Sequence, residues 1–259
     1  MTAVGNDGRA PRVAAGVEAS RTLMSVNVSL PKSVEYEGEV VWTGIFKEPV
    51  PGRVAVRRLN LDGDGQADLS VHGGIDKAVY AYPVEHYDHW RRALGSDLPF
   101  GQFGENFTVS RMLEEETSIG DVYRVGTAVV QVTQPRTPCF KLGIRMGDRR
   151  FLKRFLASGR TGFYLRVLEE GEVGAGDVIE LVHADPGRLT VAEVLRIAYD
   201  DPDDSDGAKR AVAVQALSEG WRDWFRARLA KSGAGVSARF PAEASLAKRS
   251  ENKARGSDR

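Results

Sequence analysis

Sulfur is scarce in this chain: Cys139 is its one cysteine. A single cysteine excludes an intrachain disulfide. It also excludes a self-contained iron–sulfur cluster, which needs several thiolate ligands. That usage fits a reducing compartment, so a cytoplasmic protein is expected. Net charge is missing as well, because 36 Lys and Arg residues meet 36 Asp and Glu residues. The molecule as a whole has no field to gather nucleic acid, and no nucleic-acid partner is expected. Long apolar runs are absent. Val13 to Val17 is too short for a signal-peptide core, and no later stretch could span a bilayer, so no membrane partner is expected. There is no strand–GxGxxG–helix fingerprint for nicotinamide or flavin, and no GxSxG elbow for a serine triad. No unit repeats along the chain, which excludes a solenoid.

What is present is a series of short strand signals. Residues 1–22 are small and polar and read as a disordered tail, as do residues 231–259, which are net basic and rich in Ser, Gly and Ala. Between them, Val26, Val28 and Leu30 alternate with polar residues, the mark of a strand. Val40 to Phe46 and Val54 to Leu59 predict two more, separated by a turn at Pro49-Val50-Pro51-Gly52. Pro83 opens and Gly95 closes a predicted helix, with Tyr87, Trp90 and Leu94 toward the core. Asp121 to Val125 and Thr127 to Thr133 predict a hairpin, and Arg149 to Ala157 a polar helical patch. Thr161 to Leu168 and Asp177 to Val182 predict strands joined by a glycine-rich turn, Gly171 to Gly176. Many short strands without βαβ alternation predict a mostly β domain with helices over residues 23–186, a closed or partly closed barrel.

From Leu189 the composition turns helical. Thr190-Val191-Ala192-Glu193 is a capping box, and Leu189 can staple to Val194. An alanine–valine helix runs to about Leu217. Ser218 then caps a third helix carrying Trp221, Trp224, Phe225 and Leu229 as a core stripe. A small three-helix appendage over residues 187–230 is expected.

The chemistry-bearing stretch is Gln134-Pro135-Arg136-Thr137-Pro138-Cys139-Phe140-Lys141. Its prolines predict a rigid loop and not helix or inner strand. Arg136 and Lys141 flank the thiol, and neighbouring cations favour the thiolate, a nucleophile and a soft metal ligand. The bland alternative is a buried apolar cysteine. Upstream, Leu59 to Asp68 imitates a calcium loop, but Ala67 and Gly73 stand where that pattern needs Gly and Glu, so Asp-Gly turns are expected. His72-Gly73-Gly74-Ile75-Asp76-Lys77 follows. Paired glycines expose consecutive N–H groups to an anion, with His72 and Lys77 as bracketing donors; a plain turn with solvated charges is the alternative. His86 and His89 are spaced for a metal on the helix, but no supporting carboxylate or cysteine pattern accompanies them. Glu105 and Asn106, between aromatics, line a pocket or hold a loop.

Taken together, GDGQAD, VHGGIDKAVYAY, EHY, FGENFTV and TQPRTPCFKLG, in that order, resemble the MOSC domain, named for the C-terminal region of molybdenum cofactor sulfurase. The bacterial YiiM-like subgroup fits best, and SEGWRDWF resembles its three-helix segment. The resemblance covers about residues 27 to 229. It implies a MOSC-type β-barrel followed by the helical appendage, and a molybdenum cofactor (Mo-molybdopterin) with Cys139 as metal ligand. By motif position it implies Arg58, His72, Gly73, Gly74, Lys77, Asn106, Arg136 and Cys139 as cofactor contacts. Cys139, His72 and Asp76 would be the catalytic set. The implied function is reduction of N-hydroxylated compounds such as hydroxylaminopurine-like bases. The family also carries a family-level label of pyridoxal phosphate binding. The missing cysteine set and nucleotide fingerprint then call for an external electron-donating reductase or flavoprotein. The competing readings are a non-catalytic carrier or sensor of the cofactor or of sulfur, a metal-free cysteine nucleophile with His72 or His86 as base, and an interaction module.

Overall fold

The computed structural model describes residues 20–67 and 73–231. The expected tails lie outside these residues apart from their inner ends, and so does His72. In chain order the strands and helices are β1 (Thr22–Val28), β2 (Lys32–Tyr36), β3 (Glu39–Thr43), β4 (Glu48–Pro49), β5 (Arg53–Val56), β6 (Val79–Pro83), α1 (Glu85–Leu94), β7 (Phe107–Ser110), β8 (Val122–Val125) and β9 (Ala128–Pro135). There follow α2 (Phe140–Met146), α3 (Phe151–Ala157), β10 (Phe163–Glu169), β11 (Gly171–Gly174), β12 (Ile179–His183), α4 (Val191–Leu195), α5 (Ser205–Ala213) and α6 (Glu219–Lys231). The first strand thus begins at Thr22, inside the stretch read as tail.

Eight strands form one mixed sheet in the order β12-β8-β9-β10-β6-β7-β1-β4. All its pairings are antiparallel except β6 with β7, which α1 separates in sequence as a crossover. The sheet curls. Thr22 bridges to Val178, and Leu23 N–H donates to Asp177 O at 2.9 Å, so β1 meets the chain entering β12. Two small antiparallel ladders, β11 with β5 and β2 with β3, complete the β structure.

The inner face of the curled sheet buries Val26, Val79, Ala81, Val109, Val130, Val132, Leu165 and Val167. The same core continues into the helices through Leu189, Val194, Ile197, Trp221 and Phe225. The capping box of α4 is present: Thr190 Oγ1 accepts from Glu193 N–H at 3.1 Å, and Glu193 Oε2 accepts from Thr190 N–H at 3.0 Å. On the other side of the sheet, α1, α2 and α3 enclose a second core of Tyr80, Tyr82, Tyr87, Trp90, Phe103, Phe151 and Phe155. Phe103 touches five of these rings, with Tyr82 nearest at 4.4 Å between centroids.

Three local expectations are corrected. The expected turn at Gly171–Gly176 is largely strand: Gly171 to Gly174 pairs with β5 from Val56 to Arg53. Its first glycine serves close packing, since a Cβ on Gly171 would lie 2.4 Å from the Thr127 carbonyl carbon. The strand expected over Val40–Phe46 stops at Thr43, and its partner β2 carries too few apolar residues to signal itself. The cysteine stretch is loop only from Arg136 to Pro138; Cys139 then caps α2, whose amphipathic pattern the prolines obscured.

Phe103→Ala removes a fully buried ring at the centre of the aromatic core. It should cost about 3–5 kcal/mol of stability, measured by urea denaturation.

Candidate functional site

Strand β9 delivers the chain to Pro135, and its pairing with β10 holds Pro135 opposite Phe163. Arg136 N–H then donates to Gly162 O at 3.0 Å. Within three residues the chain reaches Cys139, in extended geometry at the N-terminal end of α2. The thiol is half-buried in a cleft of about 660 Å³, open mouth included. The cleft walls come from the end of β3 (Thr43, Gly44, Ile45), Lys47, the Asp-Gly loop (Asp64 to Ala67), Lys77, Tyr80, Gly104, Asn106, Arg136, Thr137, Lys141 and Tyr164. Two of these walls touch backbone to backbone: a Cβ on Gly44 would come 2.4 Å from Gly65 O.

Arg136 dominates the electrostatics. It is 5% exposed and its guanidinium lies over the Tyr80 ring at 4.8 Å and the Phe155 ring at 5.4 Å. Its Nη1 is buried and has no hydrogen-bond partner among the described residues. Burial opposes its charge, yet Tyr80, Tyr164 and Cys139 hold its pKa above the ordinary value. Burial likewise lowers the pKa of Lys77, against the opposing pull of Asp76 and Cys139. The tyrosine phenols stay protonated, because burial raises the pKa of Tyr164 and raises that of Tyr80 well above normal.

The cleft floor is a buried polar network. Asp64 pairs with Lys47, both side chains under 10% exposed, and accepts from Asn106 Nδ2 at 3.0 Å and Ser29 N–H at 2.9 Å. Asn106 Oδ1 accepts from Tyr80 N–H at 3.1 Å, and its Nδ2 also donates to Asn27 O at 3.3 Å. Glu105 lies behind it and accepts from Tyr87 OH, Gly101 N–H, Phe103 N–H and Thr108 Oγ1. Burial raises its pKa in spite of those donors. Both amide protons of Asn106 are thus used within the protein, and Asn106 shapes the wall.

The residues expected from sequence are distributed as follows. Cys139, Arg136, Lys77 and Asn106 come together in the cleft. Gly74, at φ 97°, opens the turn Ile75–Lys77 that presents Lys77, with Gly73 leading into it. Asp76, the middle residue of that turn, pairs instead with Arg166 Nη2 at 2.6 Å. Arg58 is elsewhere: it is exposed and its Nη1 donates to Val167 O at 3.3 Å. His72 is outside the described residues. His86 pairs with Glu114 at 2.6 Å in the interior, and among the described residues no group of three or more His, Cys, Asp or Glu could hold a metal. Cys139 is then the metal-binding candidate by softness, as a single protein ligand. Sequence reading missed Lys47, Asp64 and Tyr164. The Asp-Gly loop was a signal for Asp64, read as turn chemistry; Lys47 and Tyr164 gave none.

The profile of the MOSC domain matches residues 68–180, and that of the YiiM-like, 3-alpha helix domain matches residues 189–232. Protein YflK of Bacillus subtilis (strain 168) is 44% identical over 204 residues, which span 79% of this chain and 92% of YflK. The chain belongs to the MOSC domain family, in its YiiM-like branch. The crystal structure of YiiM from Geobacillus stearothermophilus superposes with a TM-score of 0.70 at 37% identity, covering 81% of this chain and 99% of that one. A protein of Gibberella moniliformis named "Reductase" is 35% identical over 179 residues, 68% of this MOSC protein but 32% of the fungal chain.

Asp64→Ala strands Lys47 in the interior without its counter-charge. It should destabilise the fold by about 3–5 kcal/mol in chemical denaturation, far more than an exposed Asp→Ala change.

Proposed function

We propose that this protein is a molybdenum-cofactor-dependent reductase of N-hydroxylated compounds, including hydroxylaminopurine-like bases, with Cys139 as the metal ligand. The carrying observation is one half-buried thiol sharing a cleft with Arg136, whose buried Nη1 has no partner among the described residues. A guanidinium that has left water and, among the described residues, found no carboxylate is matched to an anion. A thiolate is matched to a soft metal. A group carrying both a phosphate and a thiophilic metal fits this donor set. The name of the fungal relative agrees with reductive chemistry.

When bound, the cofactor would supply the two-electron chemistry that removes oxygen from an N–OH group. The chain supplies the setting. Cys139 would hold the metal at the cleft mouth. Arg136 and Lys77 would offset the negative charge of the bound group, and the buried Arg136 Nη1 would donate to a phosphate oxygen. Tyr164, kept protonated by burial, would hold a proton beside the site. The rigid Lys47–Asp64–Asn106 floor would keep these groups in place without reorganisation. Two electrons must come from an external donor, because the chain has neither the cysteines nor the nucleotide fingerprint to carry its own.

The test is metal and pterin analysis of protein made in a host that synthesises the cofactor, followed by turnover of 6-hydroxylaminopurine with reduced methyl viologen. Bound molybdenum with turnover supports the reductase; bound molybdenum without turnover indicates a carrier instead. Cys139→Ser should keep the melting temperature and lose the molybdenum; a variant that retains both metal and activity refutes the ligand role. Lys77→Ala should retain several-fold less cofactor while its melting temperature moves by no more than about 3 °C; equal cofactor content refutes the assignment.

A further inference from the structure

A chain with no net charge is locally very uneven. Between residues 141 and 160 stand seven Lys or Arg residues and one acid, Asp148. Arg149, Arg150, Lys153 and Arg154 of this segment are exposed, in the turn between α2 and α3 and on α3 itself. They make a basic corner. The β2–β3 hairpin beside it has the opposite sign. Glu35, Glu37 and Glu39 are exposed on it, and its single cation, Lys32, lies over the Phe46 ring at 4.8 Å.

The hairpin also has an uncovered apolar face. It is a sheet of two strands, and neither outer edge carries a further strand among the described residues. One face buries Val41 and Thr43. The other leaves Val40 76% and Trp42 55% exposed, with Glu35 across the ladder from Val40. Two strands alone are marginally stable in water. An exposed aromatic and an aliphatic anchor within a charged rim is the anatomy of a protein interface. The hairpin is already held in place for such a contact. Phe46 receives Lys32 from β2 and, at 5.0 Å, Arg145 from α2. At the tip, Glu37 meets Arg149 at 3.0 Å.

An acidic, apolar patch lying beside a basic one is self-complementary. A two-fold axis between the two sets each against its opposite on a second copy. The hairpin carboxylates would repel a nucleic acid or a uniformly acidic partner seated on the same face. Hairpin and corner together offer roughly the 20 residues a side that a stable interface takes. We propose that this face is a homodimer interface, in which the β2–β3 hairpin of each copy docks on the α2–α3 corner of the other. The contact bears on the cleft. The base of the hairpin runs into Thr43, Gly44 and Ile45, which wall the Cys139 cleft, so a docked copy braces that wall from outside. The interface does not depend on what the cleft binds.

The experiment is sedimentation velocity on the full-length protein. The native protein should sediment as a dimer that dissociates as ionic strength rises. Arg150→Glu with Arg154→Glu, and separately Glu35→Arg with Glu39→Arg, should each raise the dimer dissociation constant at least tenfold, because each pair of changes sets like charges together twice across the axis. An equimolar mixture of these two double variants should dimerise again, since the reversed patches match each other. Trp42→Ala should weaken the dimer without changing its salt dependence. All five positions are exposed, and unchanged circular dichroism verifies each fold. A native protein that stays monomeric at every soluble concentration overturns the proposal; if that monomer binds polyglutamate through Arg150 and Arg154, the occupant is an acidic partner instead. Dimers that ignore both double variants place the interface elsewhere and overturn it too. So does a mixture of folded variants that remains monomeric.

Discussion

A guanidinium removed from water, with no carboxylate beside it among the described residues, is the constraint that organises this protein. Arg136 is held between the rings of Tyr80 and Phe155, and those rings belong to the aromatic core under α1, α2 and α3. Cation–π contact offsets part of the desolvation cost but does not satisfy the Nη1 hydrogens. Arg136 and Cys139 line the same cleft. The aromatic core that folds the domain thus also positions the buried charge at the cleft.

The second element is the floor. Lys47, Asp64 and Asn106 are buried and satisfy one another, with Glu105 behind them collecting four donors. Such networks are costly if half-made and rigid when complete. This one joins segments distant in sequence: the loop after β3, the Asp-Gly loop and the entry to β7. The cleft therefore exists only in the finished fold, although each wall is a short local segment.

Much of the architecture was readable from residues. Alternation gave β1, the caps at Thr190 and Gly95 gave their helices, and the stripe Trp221, Trp224, Phe225 marked the last helix as core. The cleft walls were readable at Lys77, after the paired glycines, and at Cys139, the rare residue, both of which line the cleft. They were not readable where meaning depends on a distant partner. Lys47 has no local pattern, and its role comes from Asp64, folded against it. Arg58 was named because it is a cation near the right motifs, and its side chain instead closes on the carbonyls at the end of β10. The helix after Cys139 was hidden by prolines that in fact end just before it.

The seam between β1 and the entry to β12 has a kinetic consequence. Thr22 meets Val178 across more than half of the chain. That loop must close before the contact rewards it, so the seam carries a large share of the topological burden of folding. On the ribosome, β1 emerges early and waits with an unpaired edge until the glycine-rich ladder and β12 have been synthesised. The nascent chain is thus most exposed to wrong strand pairing in the interval before its last third appears.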